Sequence, residues 1–265
     1  MQALIGTTTS TPCTAVVEET HSDNMFQLTP SATAVDSIQY DNAFRMCFSD
    51  PNQGSASADY IAENKLATKV AIIYNSSDTY SSGIYQTFAT EAKAKGLDVV
   101  AAEAFTADNK TDFSVQIQKA KDAGAELVFL PIYYQEASLI LAQANKAGFT
   151  PKWFGCDGMD GILDLDGFDA SLAEDLMFLT PFTANATDEA TQKFVADYKE
   201  AFGDTPIQFA ADAYDCVYVI KAAAEKENVT PDKSVSDICD ALKDKDTPEH
   251  RRHLIRVLES CGRRY

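Results

Sequence analysis

Residues 70–179 carry the pattern that most restricts the fold: short apolar runs without polar alternation, each followed by a stretch that is apolar at three- and four-residue spacing. Strands are expected at Val70–Tyr74 (VAIIY), Leu97–Ala102 (LDVVAA), Leu127–Leu130 (LVFL) and Leu176–Leu179 (LMFL). The intervening stretches, Tyr80–Lys95, Asp112–Ala123 and Gln135–Ala147, predict helices. Phe113, Ile117 and Ala120 fall on one face of the second helix, and Gly96, Gly124 and Gly148 stand where the three helices should stop. A strand that is apolar throughout is buried on both faces, and a helix after each strand supplies the cover. The pattern therefore predicts an α/β protein built on a parallel sheet.

Two more strand-helix units precede this block, Ala3–Ile5 with Pro12–His21 and Met25–Leu28 with Ala34–Tyr40. Two long helices follow it, Thr187–Phe202, with Phe194, Tyr198 and Phe202 on one stripe, and Phe209–Lys226. SDPNQGS interrupts the run from Phe44 to Asn64, and TPFTAN follows a strand at Thr180–Asn185. Crossings at these two places divide the chain into a partial first lobe, residues 1–48 and 184–245, and a second lobe, residues 49–183. Two doubly wound lobes joined by crossing strands are expected to carry a ligand in the cleft between them.

Residues 246–265 break the composition. They hold five arginines against three acids, whereas residues 1–245 hold seventeen Lys plus Arg against thirty-seven acids. The segment reads as an atypical basic tail, either an interaction element or a fused or out-of-frame segment. The whole chain has a net charge of −18, which sets it against nucleic acid and anionic membrane surfaces as partners. No 18-residue apolar run occurs, and the beginning MQALIG has neither the charged nor the long apolar region of an export signal. The six cysteines show no CxxC and no Cys/His spacing of a metal site, so no metal or cofactor is expected. Asp160, Asp164 and Asp166 form an acidic loop that misses the calcium-loop spacing and reads as solvated. GxSxG, GxGxxG and GxxxxGK[ST] are absent, and His21 is misplaced for a nucleophilic triad, so an enzyme is not expected.

Candidate binding residues lie in two hydroxyl-rich loops. ALIGTTTSTP places Ser10 and Thr11 between a strand and a helix read as starting at Pro12, and FQLTPSATA does the same with Ser31 and Thr33. Hydroxyls and free amides at two neighbouring strand ends suit a small anion, and the lack of Lys or Arg there favours a carboxylate over a phosphate. The same residues also suit ordinary helix caps.

In order along Gln2–Leu242, the segments ALIGTTTST, QLTPSATA, NAFRMCFSDPNQG, KVAIIYNSSDTYSSG, DFSVQIQKAKDAGAELVFLPIYYQEASLILAQANKAG, FGCDGM and AADAYDCVYVIKAA resemble the Leu/Ile/Val-type amino-acid-binding proteins of ABC importers. The resemblance implies the type I periplasmic binding fold, extracytoplasmic binding of a small amino acid of branched-chain type, and an ABC permease as membrane partner. A receptor or regulator sensing domain of the same fold is the alternative. It assigns the ligand carboxylate to Ser10, and the ligand's amino and carboxyl groups to Ser31, Ala32 and Thr33. Tyr80 and Tyr133 become tyrosines of the second lobe's pocket, Asp157 the acid opposite the ligand ammonium, and Tyr214 an aromatic wall. Relatives more often carry Glu at the Asp157 position. The shorter aspartate leaves room for a different ligand or a bridging water, although Asp157 also reads as a turn residue and the tyrosines as a strand end. The family's export signal and its first strand-helix-strand-helix stretch would precede Met1, so the first lobe is expected to be incomplete, and a membrane anchor or periplasmic location would belong to the full-length protein.

Overall fold

The computed structural model describes residues 2–243, and the basic tail lies outside the described residues. The chain divides into two compact units: Met1–Cys47 with Phe182–Tyr265, and Phe48–Pro181.

Unit 1 begins with β1 (Ala3–Ile5), α1 (Ser10–Ser22), β2 (Phe26–Thr29) and β3 (Ala43–Arg45). The three strands form a parallel sheet in the order β1-β2-β3, and all four residues of β2 are buried. α1 starts two residues before Pro12, with Thr9 as its N-cap, so Ser10 lies inside the helix and does not cap it. The helix expected over Ala34–Tyr40 is a single 3-10 turn, Val35–Ile38. The Arg45 guanidinium takes the carbonyls of Thr33 and Ala34 at 2.6 and 3.0 Å, and the Ala34 carbonyl also accepts the Ser37 amide of the turn at 3.1 Å, so the Thr33 carbonyl that would start an α-helix is already engaged by a side chain.

Unit 2 follows as α2 (Asp50–Glu63), β4 (Lys69–Asn75), α3 (Thr79–Ala94), β5 (Asp98–Phe105), α4 (Ser114–Asp122), β6 (Leu127–Leu130), α5 (Tyr134–Lys146), β7 (Lys152–Gly155) and β8 (Met177–Phe178). SDPNQGS, read from the sequence as a break, starts α2: Ser49 caps it by accepting from the Asn52 amide at 3.3 Å, and Pro51 falls in the first turn, where its missing N–H costs nothing. Gly54 permits the close approach of α2 to α3, since a Cβ there would lie 2.7 Å from the Ile84 carbonyl. All pairings in the five-stranded sheet β5-β4-β6-β7-β8 are parallel.

The period-2 geometry of β4 and β6 splits their residues between two cores. Ala71, Ile73, Val128 and Leu130 pack with Ile117 and Ala120 of α4 and with Ala137, Ile140 and Leu141 of α5. Val70, Ile72, Leu127 and Phe129 pack with Ile61 of α2 and with Ile84 and Phe88 of α3, and the Phe88 and Phe129 rings stack at 3.9 Å. Each such large side chain contributes about 1.5–3 kcal/mol by leaving water. The doubly covered parallel sheet is thus the expected one.

The chain returns to unit 1 with α6 (Glu189–Phe202), α7 (Gln208–Lys226) and α8 (Val235–Lys243). Cys216 and Val219 of α7 and Ile238, Cys239 and Leu242 of α8 pack on Phe26 and Leu28 of β2. Among the described residues no helix is long and apolar enough to cross a membrane.

Candidate functional site

In unit 1 the two hydroxyl loops meet directly, because the Ser31 amide donates to the Thr8 carbonyl at 3.2 Å. Ser10 is fully buried at the first turn of α1, and its Oγ accepts from the Ala34 amide at 3.1 Å. The Ala32 amide donates to Thr29 Oγ1 at 3.2 Å, and Thr29 Oγ1 in turn donates to the Thr7 carbonyl at 2.6 Å. Thr33 Oγ1 is buried and has no hydrogen-bond partner among the described residues. Ser31 Oγ donates to Asp212 Oδ2 at 2.6 Å, and Asp212 is fully buried on α7. Ser10, Ser31, Ala32 and Thr33 are therefore brought together, with the Arg45 guanidinium fixing the backbone behind them.

Tyr214 is not part of that group. It lies two residues from Asp212 on α7, and residues at that spacing do not share a helix face. Its hydroxyl donates to Tyr218 at 3.0 Å, its ring packs on Phe194 at 4.8 Å, and it is 42% exposed. The bond to Tyr218, with some burial, pushes the phenol up to about 12.

In unit 2, Tyr80, Tyr133 and Asp157 converge. Tyr80 is the second residue of α3, a helix capped by Asp78, and Asp157 opens a 3-10 turn, Asp157–Met159, just past β7. The Tyr80 hydroxyl donates to Asp157 Oδ1 at 2.8 Å and accepts from the Gly158 amide at 2.9 Å. Its ring stacks on Tyr133, the N-cap of α5, at 4.8 Å. Burial first, and then the Asp157 charge, hold the Tyr80 phenol well above 10, so it stays a donor. Asp157 is 2% exposed, and its amide donates to Gln53 Oε1 of α2 at 3.1 Å. Gln53 Nε2 is buried without a partner among the described residues. A Cβ at Gly158 would lie 2.8 Å from both the Ile132 carbonyl and the Tyr80 hydroxyl, so glycine is needed there. Burial raises the neighbouring Cys156 thiol well above 9, which keeps it an inert thiol.

A buried carboxylate held by a neutral phenol suits a cation, and buried hydroxyls with a proton to give suit a carboxylate. Asp212, Gln53 and Gly158 were not singled out in the sequence. Asp212 left one signal: with Cys216 and Val219 it forms an i, i+4, i+7 stripe, all buried, in which a carboxylate is out of place. Asp164 and Asp166 are exposed, and among the described residues no group of three or more His, Cys, Asp or Glu could hold a metal ion.

A family profile described as periplasmic binding protein matches residues 1–250. A Leu/Ile/Val-binding protein homolog of Brucella melitensis is 29% identical over 246 residues, covering 91% of this chain and 63% of its own length. A leucine-, isoleucine-, valine-, threonine- and alanine-binding protein of Pseudomonas aeruginosa is 27% identical, over 85% of this chain and 59% of its own length. The chain thus spans less than two thirds of these two relatives. The branched-chain amino acid transporter substrate-binding protein LivJ of Streptococcus pneumoniae, solved with isoleucine, superposes with a TM-score of 0.81 at 28% identity, over 91% of this chain and 68% of the solved one.

Proposed function

The chain belongs to the periplasmic binding protein family, and from that premise we propose that it is the ligand-binding part of an ABC importer's solute-binding protein, taking a small amino acid of the branched-chain type. The family is one of extracytoplasmic binding proteins rather than enzymes. In the full-length protein the partner is the importer's permease, and a membrane anchor or free periplasmic location completes the reading.

The buried Tyr80–Asp157 pair carries this reading. An amino acid is a zwitterion, and a carboxylate withdrawn from water is stabilised when an ammonium comes to it. Within unit 1, the Ser10 and Thr33 hydroxyls are neutral groups of the kind that suits a carboxylate. The related proteins named for leucine, isoleucine and valine support the branched-chain class.

Calorimetry of isoleucine against the parent chain and Asp157→Asn tests it. Removing one charge of a desolvated pair costs about 2–5 kcal/mol, so binding should weaken about thirtyfold or more. Asp164→Asn, in the exposed loop, should change little. Equal isoleucine affinities for the parent and Asp157→Asn would overturn the assignment of Asp157, and a parent that binds none of isoleucine, leucine and valine would overturn the substrate class.

A further inference from the structure

The geometry points to Asp212 as a positioning residue that fixes the hydrogen-bond polarity of Ser31 and so reserves that serine for the ammonium end of a ligand. This rests on the amino-acid-binding reading above and adds a specificity determinant to it. Ser10 and Ser31 are both buried in unit 1, at 0% and 4% exposure. Each hydroxyl has one proton to give and lone pairs to receive with.

The two are set in opposite senses. At Ser10 a lone pair takes the Ala34 amide, which leaves the proton to give to a carboxylate. At Ser31 the proton is given to Asp212 Oδ2 at 2.6 Å, so the oxygen is left to accept from a ligand. Asp212 occupies a fully buried position on the stripe it shares with Cys216 and Val219, where packing alone would place an apolar residue. Thr33 Oγ1, two residues along the loop and also fully buried, has no partner among the described residues, which independently marks this loop as awaiting a polar group.

The consequence is discrimination against carbonyl analogues. Isoleucine offers Ser31 an N–H. Its deaminated counterpart, 3-methyl-2-oxopentanoate, offers a carbonyl oxygen, and two acceptors then face each other. Without Asp212 the Ser31 hydroxyl can turn and donate to that carbonyl.

The test is calorimetry of both compounds with the parent chain, Asp212→Ala, Asp212→Asn, Ser31→Ala and the double variant Ser31→Ala/Asp212→Ala. Asp212→Ala should lower the affinity ratio of isoleucine to the oxo acid by about tenfold or more, the range of a hydrogen bond to a charged group. Asp212→Asn keeps an acceptor for Ser31 and should stay within about threefold of the parent ratio. In the Ser31→Ala background, Asp212→Ala should move the ratio less than about twofold, because the group through which it acts is gone. A ratio unchanged by Asp212→Ala, or one that shifts equally with and without the Ser31 hydroxyl, would overturn the proposal. A ligand-free arm separates this from failure of the amino-acid reading: in urea unfolding the two single variants should be non-additive by about tenfold in the folding equilibrium, and additivity would overturn the Ser31–Asp212 coupling.

Discussion

The Tyr80 oxygen serves two groups at once, giving its proton to Asp157 and taking that of Gly158. Tyr80→Phe leaves a buried acceptor and a buried donor each short of a partner. It should destabilise the chain by about 2 kcal/mol or more in urea unfolding, and a loss under about 0.5 kcal/mol would show that the hydroxyl is not shared in this way. The same burial makes unit 2 sensitive to alkali. Tyr80 and Cys156 both hold their protons in the folded state well above their ordinary values of 10 and 9. A raised folded pKa contributes stability that is fully present below the unfolded value and is lost as pH rises past it, since the unfolded chain ionises first. The urea midpoint should therefore fall once pH exceeds about 9 for the thiol and about 10 for the phenol. The combined Tyr80→Phe/Cys156→Ala variant should show a shallower fall over that range, whatever its stability at pH 8, and an identical slope would count against both groups.

At the scale of elements, the α2–α3 contact depends on Gly54, whose added Cβ would meet Ile84 carbonyl and Phe88 amide atoms, each at 2.7 Å. Backbone cannot rotate aside as a side chain can. Gly54→Ala should cost about 1–3 kcal/mol, as overpacking does, whereas Ser49→Ala at the start of the same helix should cost about 1 kcal/mol through the lost cap. Thermal unfolding of the two variants checks the order, and a Gly54→Ala variant as stable as the parent would mean that the helices separate freely. What could be read from the sequence follows the same local logic. β4 and β6 were legible because burial on both faces leaves an unbroken apolar run. β7, spelled KWFG, is four residues with a charged start and shows no period, and α8 lies beyond the last helix that the sequence pattern predicts. The 3-10 turn after Ala34 has its first carbonyls held by Arg45, eleven residues beyond Ala34, and no window over Ala34–Tyr40 contains that side chain. At the site, the hydroxyl loops stood out by composition, while Tyr80, Tyr133 and Asp157 came only through family resemblance. The Ser31–Asp212 bond joins residues 181 positions apart, a distance over which local pattern carries no information.

At the scale of the whole molecule, the two units differ in how the chain builds them. Unit 2 is one continuous segment, Phe48–Pro181, with a core on each face of its sheet. Residues 48–181 expressed alone should fold cooperatively, with a single urea transition seen by both far-ultraviolet circular dichroism and Trp153 fluorescence. Transitions that do not coincide would show that the segment relies on unit 1. Unit 1 is discontinuous: the face of β2 bearing Phe26 and Leu28 is covered by α7 and α8, which the chain supplies only after unit 2 is complete. On a ribosome this becomes a matter of time. At about 5–20 residues per second, residues 48–181 take roughly 7–27 s to synthesise. For that interval the nascent β1-β2-β3 segment has its apolar face made and its cover not yet translated, so its fate rests on whatever holds it until the returning helices emerge.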